Sequence, residues 1–317
     1  MRPLFQASLL ALTLSLNTFA EEGGSGHYLP GSMASFVDGV PQEETFIARL
    51  NYLYYDGEIA ANRQIPIAGL STLGAEATST ALGVTLLWRP PVEIGENWSW
   101  AMSATIPYVW MNVEADVVAP LPGGGTTTVR RGKDLSGIGD IVLMPLMFNY
   151  EVCDDLNINF RLGAYAPTGR YQVGRLANTG KNFWTIEPTV AWMYFGKKNG
   201  REASLFLGAD FNFENSDTNY RTGTQVHLDG TLAQHFPLWG GLFGVGLNAY
   251  WYEQVEGDSG AGATFGDFKG RTAGLGPALS YVSSDGNTLG ELKWLHEFET
   301  KNRLEGDYIW FKLIHKF

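Results

Sequence analysis

Histidine is the side chain best suited to acid–base chemistry near neutral pH, and His227 has the most suggestive neighbour. His227 and Asp229 are two residues apart, so a β-strand places both on one face, where they could form an acid–base pair. A hydrolase would also need a nucleophile, which a His-x-Ser pair along a strand would supply. The five histidines His27, His227, His235, His296 and His315 are followed two residues later by Leu29, Asp229, Pro237, Phe298 and Phe317. Because no nucleophile is paired with a histidine, we interpret His227 and Asp229 as an ion pair and expect no catalytic residue.

Other charged residues recur on one side of an alternating pattern. In residues 204–214 the odd positions are apolar, and the even positions, including Asp210 and Glu214, are mostly small or polar. The same rule places these residues on the polar face: Arg49, Asp140, Arg161, Glu187, Asp210, Glu214, His227, Asp229, Tyr250, Tyr252, Glu291, Lys293 and Glu297. They could form a polar track or a gate held by Arg–carboxylate pairs, or ion pairs that only fill and stiffen an interior. For any single residue we favour the second interpretation.

The elements that position these side chains are β-strands, because a period of two recurs in segment after segment. The alternation predicts twelve strands, near residues 44–55, 79–89, 98–113, 137–151, 155–167, 182–196, 203–214, 223–236, 240–254, 268–283, 288–300 and 306–317. An even number of antiparallel strands closes a bacterial outer-membrane barrel. We therefore predict an all-β fold, a transmembrane antiparallel β-barrel of about 12 strands whose polar face lines the lumen.

The connections alternate in length, which predicts an orientation. Those around 90–96, 153–154, 197–200, 237–238 and 285–287 are short. Those around 57–78, 115–136, 168–181, 215–222 and 255–267 are mostly longer, and only 301–306 is compact. Short turns belong on the periplasmic side of an outer-membrane barrel and long loops on the outside.

Aromatic residues are predicted at two levels, as in the interfacial girdles of a barrel. The outer level comprises Tyr52, Tyr54, Tyr108, Trp110, Trp184, Phe211, Trp251, Phe298 and Tyr308, and the inner level Trp88, Trp100, Tyr194, Phe236, Trp239 and Phe317. A soluble β-sandwich is the alternative, but it would hide most of these rings. The final strand alternates up to Phe317, and it resembles the C-terminal strand that the outer-membrane assembly machinery reads.

The first twenty residues have the pattern of a secretory signal: a basic Arg2, an apolar run over 7–16, and small residues before a predicted cleavage after Ala20. A buried first helix is the alternative. We divide the chain into a signal peptide, 1–20, an N-terminal segment, 21–43, and a barrel, 44–317. Elsewhere no apolar run reaches the roughly 18 residues that a membrane helix needs.

Composition excludes several classes of function. The formal charge of −11 argues against nucleic-acid binding, and the single Cys153 cannot form an intramolecular disulfide. Glycine pairs such as Gly137 and Gly139 lie within or beside strands, so no phosphate-binding loop is predicted. The histidines lack clustered metal-ligand spacing, and we predict neither a metal site nor a cofactor.

Several short stretches resemble a known family: residues 24–31 (GSGHYLPG), 136–140 (SGIGD), 165–169 (YAPTG), 176–180 (LANTG), 257–260 (GDSG), 266–270 (GDFKG) and 296–298 (HEF). The chain is similar to the outer-membrane proteins grouped under "meta-pathway of phenol degradation", also described as sphingosine-responsive outer-membrane proteins. That family in turn resembles the long-chain fatty acid and toluene porins. The resemblance implies a passive uptake channel for hydrophobic or amphipathic molecules.

The N-terminal segment carries apolar groups that a free periplasmic tail would not need, namely His27, Tyr28, Met33 and Phe36. We predict that these residues plug the lumen, as the family resemblance also implies.

Together these observations predict an outer-membrane channel of a Gram-negative bacterium for aromatics, long-chain lipids or sphingoid bases. Its expected partners are outer-membrane lipid and lipopolysaccharide, the barrel assembly machinery and a hydrophobic small-molecule ligand. The alternative is a structural or resistance protein that binds lipid or lipopolysaccharide and conducts little. An enzyme is the least favoured class.

Overall fold

The computed structural model describes residues 26–68, 70–263 and 269–317, with the backbone alone for 60–66. The predicted signal peptide, 1–20, lies outside the described residues. Among those residues, no helix is long and apolar enough to cross a membrane. One 3₁₀ turn is present, Phe36–Asp38.

The described chain is built from antiparallel strands joined to their neighbours in sequence. They are β1 Thr45–Ile67, β2 Leu70–Arg89, β3 Trp98–Pro120, β4 Thr126–Ile138, β5 Ile141–Cys153, β6 Leu156–Ala166, β7 Thr185–Phe195, β8 Arg201–Asn212, β9 Gln225–Leu238, β10 Gly241–Gln254, β11 Arg271–Val282, β12 Thr288–Lys301 and β13 Glu305–Lys316.

The sheet closes on itself because β1 pairs with both β2 and β13, while β2 also pairs with β3. The β3 strand has two partners along its length. Trp98–Thr105 pairs with β5, whereas Tyr108–Pro120 pairs with β4. Gly139 and Asp140 separate β4 from β5, so these two strands occupy one position beside β3. The wall of the barrel therefore has twelve strand positions, which confirms the prediction, and β4 is an additional strand.

The two faces of the sheet have inverted polarity compared with a soluble protein. Leu247 points outward and is 55% exposed, whereas its neighbour Asn248 points inward and is fully buried. The same alternation runs along β8, where Leu205, Leu207 and Phe211 are exposed. An apolar exterior around a polar interior is the arrangement that a barrel in lipid requires.

The outer ends of the first four strands differ from the prediction. Residues 57–78 and 115–136 were expected to be loops, but most of them continue β1, β2, β3 and β4. The β1 strand has 23 residues, which corresponds to about 75 Å at a rise near 3.3 Å per residue. A transmembrane strand needs only about 9–11 residues. These strands therefore extend well past the bilayer as a paired sheet.

One predicted girdle residue also lies elsewhere. Tyr308 is buried inside the barrel, where its ring packs against Tyr55 with centroids 4.4 Å apart. Even positions of β13 face inward, whereas Ile309, Phe311 and Leu313 face outward. Tyr308 is thus on the wrong side of the strand to meet the membrane interface.

Candidate functional site in the barrel lumen

Residues 26–40 lie inside the barrel, and from here on we refer to these residues as the N-terminal segment. Ala34 and Asp38 are fully buried, and His27 and Tyr28 are less than a tenth exposed. Because glycine and serine alternate with larger residues, the chain fits closely against the wall. At Gly26 a Cβ would lie 2.0 Å from the Gln225 side-chain oxygen, so only glycine fits without movement of that side chain.

The Asp38 carboxylate is the main charged anchor of the segment. It accepts hydrogen bonds from Lys312 Nζ at 2.8 and 2.9 Å and pairs with Arg49 Nη1 at 3.0 Å. Arg161 Nη2 donates to the Asp38 backbone carbonyl at 2.6 Å. Charge-assisted bonds of this kind are stronger than neutral ones. The inward cations of β1, β6 and β13 therefore hold the 3₁₀ turn in place.

A second charged group holds the middle of the segment. Lys293 Nζ donates to the Gly31 carbonyl at 2.7 Å and lies 3.0 Å from the carboxylate of Glu291. Ser35 hydrogen-bonds the same carboxylate. On the neighbouring strand, the Trp310 indole N–H donates to the Pro30 carbonyl at 2.8 Å. Strands β12 and β13 thus satisfy backbone carbonyls of the segment that would otherwise be buried without partners.

His27 joins the segment to the break between β4 and β5. Its Nε2 lies 2.9 Å from Asp140, and its Nδ1 lies 2.7 Å from the Thr185 hydroxyl. The Asp140 carboxylate also accepts the backbone N–H of Gly169 at 2.9 Å and of Lys181 at 2.7 Å. One buried carboxylate therefore fixes the segment, the strand break and the loop between β6 and β7.

Tyr28 anchors the segment to β9. Its hydroxyl donates to Asp229 at 2.6 Å, and its ring stacks on His227 with centroids 3.8 Å apart. The Gly31 N–H donates to the other Asp229 oxygen at 2.8 Å. The remaining predicted segment residues are also in contact with the wall, Met33 through Arg161 and Phe36 through Phe195.

Most residues predicted on the polar face line the lumen. Less than a tenth of each of the following is exposed: Asp140, Arg161, Glu187, Asp210, His227, Asp229, Tyr250, Tyr252, Glu291, Lys293 and Glu297. Arg49 is partly exposed and faces inward onto Asp38. Glu214 departs from the prediction, because β8 ends at Asn212 and Glu214 is exposed in the loop that follows.

Sequence reasoning missed several charged residues of the lumen, among them Glu202, which accepts the Phe36 N–H at 2.8 Å. Lys312 lies on the face of β13 opposite the outward Phe311 and Leu313, so the alternation contained the signal for it. Arg303 stands in the short turn between β12 and β13, yet its guanidinium reaches over the Tyr252 ring at 4.8 Å. Asp38 lies in the N-terminal segment, where no strand pattern indicates its direction.

An apolar cavity remains between the segment and one side of the barrel. Its volume is about 260 Å³, and it is bounded by Leu29 and Met33 of the segment and by β1, β2, β3 and β5. The wall contributes mainly apolar and small side chains, including Leu53, Ala81, Leu87, Val109 and Met144. Three anchoring residues, Arg49, Asp140 and Arg161, also border the cavity, whereas Asp229, Glu291, Lys293 and Lys312 lie away from it.

A separate cleft of about 710 Å³ lies at the outer end of the barrel wall. It is formed where the turn between β12 and β13 meets the extended parts of β1, β2 and β3. Six carboxylates line it, those of Asp56, Glu58, Glu76, Glu114, Glu305 and Asp307. Arg303 and His296 also line the cleft, and Arg130 pairs with Glu76 at 2.9 Å and with Glu114 at 3.2 Å, so the carboxylates still outnumber the cations.

Comparisons with known proteins agree with this architecture. A family model described as "Putative MetA-pathway of phenol degradation" matches residues 61–313. The chain belongs to this family. No curated protein sequence matches it. Among solved structures, the COG4313 outer membrane channel from Pseudomonas putida F1 is similar, with a TM-score of 0.64 and 14% identity over 92% of this chain and 100% of that one.

Two further solved barrels align less well. The β domain of the Bordetella autotransporter BrkA has a TM-score of 0.45 at 10% identity, covering 86% of this chain and 99% of that one. A Pseudomonas aeruginosa FadL homologue has a TM-score of 0.40 at 10% identity, covering 87% of this chain and 90% of that one. The closed barrel with its apolar outer face, in a chain of this family, is the architecture of an outer-membrane protein of a Gram-negative bacterium.

Proposed function

We propose that this channel takes up hydrophobic or amphipathic small molecules passively and that the N-terminal segment gates it. The observation that carries the proposal is the apolar cavity of about 260 Å³ beside the segment, in a lumen otherwise lined by charged and polar side chains. Ligand pockets are typically apolar spaces with a few polar groups, here Arg49 and Asp140. A pore for hydrophilic solutes would instead be lined by polar groups along its whole length.

The N-terminal segment fills part of the lumen, and this favours the proposal that polar solutes pass only slowly. A barrel of this strand number is much narrower than the 16-stranded porins that hold an aqueous channel. The segment occupies part of that space, and it is held by buried bonds to at least Asp140, Asp229, Glu291 and Lys312. Breaking a buried ion pair costs about 3–5 kcal/mol, so the segment does not leave without a ligand or partner that offsets this cost.

The acidic cleft favours a ligand with a positively charged head group. Its carboxylates lie at the outer end of the wall, just beyond the outward apolar residues Trp110, Trp294 and Ile309. An amphiphile in the outer leaflet would meet this cleft with its head group at the membrane surface. Among the ligand classes consistent with the cavity, we therefore favour long-chain amines over neutral or anionic lipids.

Uptake into liposomes tests the proposal. Wild-type protein should admit a fluorescent long-chain amine faster than the matched long-chain alcohol, and it should conduct ions weakly. Ala81→Phe places a ring in the cavity and should slow uptake at least severalfold. Ala104→Phe is the matched control, because Ala104 points outward from β3 into lipid and should leave uptake unchanged.

The main competing function is that of a structural or resistance protein that binds lipid or lipopolysaccharide with little conductance. It predicts binding of the labelled amine to the outer surface without transfer into the liposome, and equal behaviour of both phenylalanine variants. That result would overturn the uptake proposal.

A further inference from the structure

One group of side chains in the lumen carries more negative charge than its protein neighbours balance. It lies on the inner faces of β7, β8 and β9 and contains Glu187, Asp210, His227 and Asp229, each at most 2% exposed. Donor atoms of Glu187, Asp210 and His227 lie within 4.8 Å of one another. Even with a protonated imidazole, three carboxylates would face a single positive charge.

Hydrogen bonds compensate for this charge only in part: Glu187 accepts the hydroxyls of Tyr165 and Thr189, and Asp229 accepts Tyr28 and Gly31, whereas Asp210 and His227 are less well satisfied. Among the described residues, no side chain donates a hydrogen bond to either carboxylate oxygen of Asp210, and only the backbone N–H of Tyr28 is directed at this carboxylate. Within the same part of the chain, both ring nitrogens of His227 lack a hydrogen-bond partner, although Nε2 lies 3.3 Å from Glu187 and Nδ1 lies 3.5 Å from Asp229. Gln225, directly across from Asp210 on β9, has an amide with neither atom bonded. Buried polar groups without partners are rare and point to a missing ligand.

Several other carboxylates of the same lumen are paired with lysine or arginine, although among the described residues the only ion-pair partner of Glu202 is His235, at 3.5 Å. Asp38 and Glu291 face Lys293, Lys312 and Arg49 at 2.8–3.3 Å. Glu297 lies 3.6 Å from Arg303. The deficit of positive charge is therefore largest in the β7–β9 group, where three carboxylates share one imidazole.

We propose that Glu187, Asp210 and His227 bind a divalent transition-metal ion and that Zn²⁺ fits them best. An imidazole with carboxylates suits zinc, whereas Ca²⁺ and Mg²⁺ prefer oxygen ligands alone. Zinc–ligand bonds of about 2.0 Å place neighbouring ligand atoms roughly 3.3 Å apart. The three ligand atoms already lie within 4.8 Å of one another and would have to move closer to reach that spacing.

The surroundings of His227 are those of a metal ligand. Nε2 faces Glu187, on the metal side, while Nδ1 faces Asp229, which can hold the ring as an outer hydrogen-bond acceptor. Gly208 stands directly across the strand pair, and a Cβ there would lie 2.3 Å from the imidazole. Glycine at this position leaves room for the ring to turn towards the metal.

This site was not predicted from sequence, because its ligands come from three different strands and show no local spacing. It also bears on the N-terminal segment, since Tyr28 stacks on His227 and bonds Asp229. A bound ion would fix the ring on which Tyr28 rests. That consequence rests on the proposed gating, whereas the metal site itself goes beyond it.

Metal analysis of the folded full chain in detergent tests the proposal. After chelator treatment and equilibration with ZnCl₂, mass spectrometry of the desalted protein should find one zinc per chain, and Ca²⁺ or Mg²⁺ in tenfold excess should not displace it. Asp210→Asn and His227→Gln should each weaken zinc binding at least tenfold. His235→Gln is the matched control, because His235 is a buried imidazole of the same strand, 3.5 Å from Glu202, and should retain the zinc.

Heat-modifiable migration on gels establishes that each variant is folded. Should a variant fail to fold, the wild-type stoichiometry still decides, together with the visible absorption of the Co²⁺-substituted protein. Wild-type protein without one tightly held zinc, or equal zinc binding by folded Asp210→Asn and wild type, would overturn the site. If the wild-type protein holds no zinc, Glu187 and Asp210 share a proton instead. Because the readout is bound metal, its failure leaves the uptake proposal untouched.

Discussion

The Asp38 carboxylate and the Lys312 ammonium group lie 2.8 Å apart, although 274 residues separate them in the chain. Both side chains are completely buried. The bond joins the N-terminal segment to the strand that closes the barrel against β1. The interior of the channel is therefore held by a contact between an early and a late part of the sequence.

Asp38→Asn tests that contact. The substitution leaves the buried cations of Lys312 and Arg49 without their common anion, which costs about 3–5 kcal/mol. We expect single-channel conductance to rise severalfold and the temperature of barrel unfolding to fall. Lys316→Met is the control, since among the described residues Lys316 forms an ion pair with the exposed Glu43 alone, at 3.5 Å. Equal conductance in folded Asp38→Asn and wild type would show that this ion pair does not retain the segment.

Gly169→Ala should disturb the bonds around Asp140. A Cβ at Gly169 would lie 2.6 Å from the Gly180 backbone, so the two arms of the loop between β6 and β7 must separate. The N–H groups of Gly169 and Lys181 would then no longer reach Asp140 together. We expect a destabilisation of about 1–3 kcal/mol and faster cleavage of this loop by added protease. Gly174→Ala, at a φ of +77° with open space around it, tests backbone strain alone.

Tags report the orientation of the barrel. Epitopes inserted near Gly124, between β3 and β4, or near Gly260, between β10 and β11, should bind antibody on intact cells. Epitopes near Asn199 or Gly286, in the short turns at the other end, should bind only after the outer membrane is permeabilised. The reverse accessibility would mean that the barrel is inverted.

Deletion of Phe317 should impair assembly. The Phe317 N–H donates to the Phe46 carbonyl at 2.9 Å, and the Phe317 carbonyl accepts the Thr45 hydroxyl at 3.1 Å, at the seam between β13 and β1. The ring itself is 74% exposed. We expect less heat-modifiable barrel in outer-membrane fractions, and Phe317→Tyr should restore it. Full assembly without Phe317 would show that the assembly machinery does not depend on this residue.

The alternation of apolar and polar residues was sufficient to predict the barrel, because lipid imposes one face and the hydrated lumen the other. The same signal failed for β4. Thr126–Gly132 is exposed on both faces and lacks an apolar side. Its strand conformation comes from pairing with β3, for example Glu114 with Gly132. Pairing beyond the membrane leaves no hydrophobic period to detect.

The sequence predicted which side chains point into the lumen, but it did not predict which groups they contact. The period of two places Asp229 and Lys293 on the inner face, yet it cannot indicate that Asp229 bonds Tyr28 or that Lys293 bonds the Gly31 carbonyl. Those contacts depend on where the N-terminal segment runs inside the barrel. The prediction that Glu214 lines the lumen was wrong for a simpler reason, since an alternating pattern does not show at which residue strand pairing ends.

The attachment of the segment to β12 and β13 bears on biogenesis. Residues 26–40 leave the ribosome and the inner membrane before the strands that hold them, and Lys293, Trp310 and Lys312 come last. Once β13 has paired with β1, a continuous wall encloses the segment, and the segment cannot enter the barrel from the side. The segment must therefore either fold against β12 and β13 while the sheet is still open or enter later through an end of the barrel, so barrel closure separates two routes of assembly.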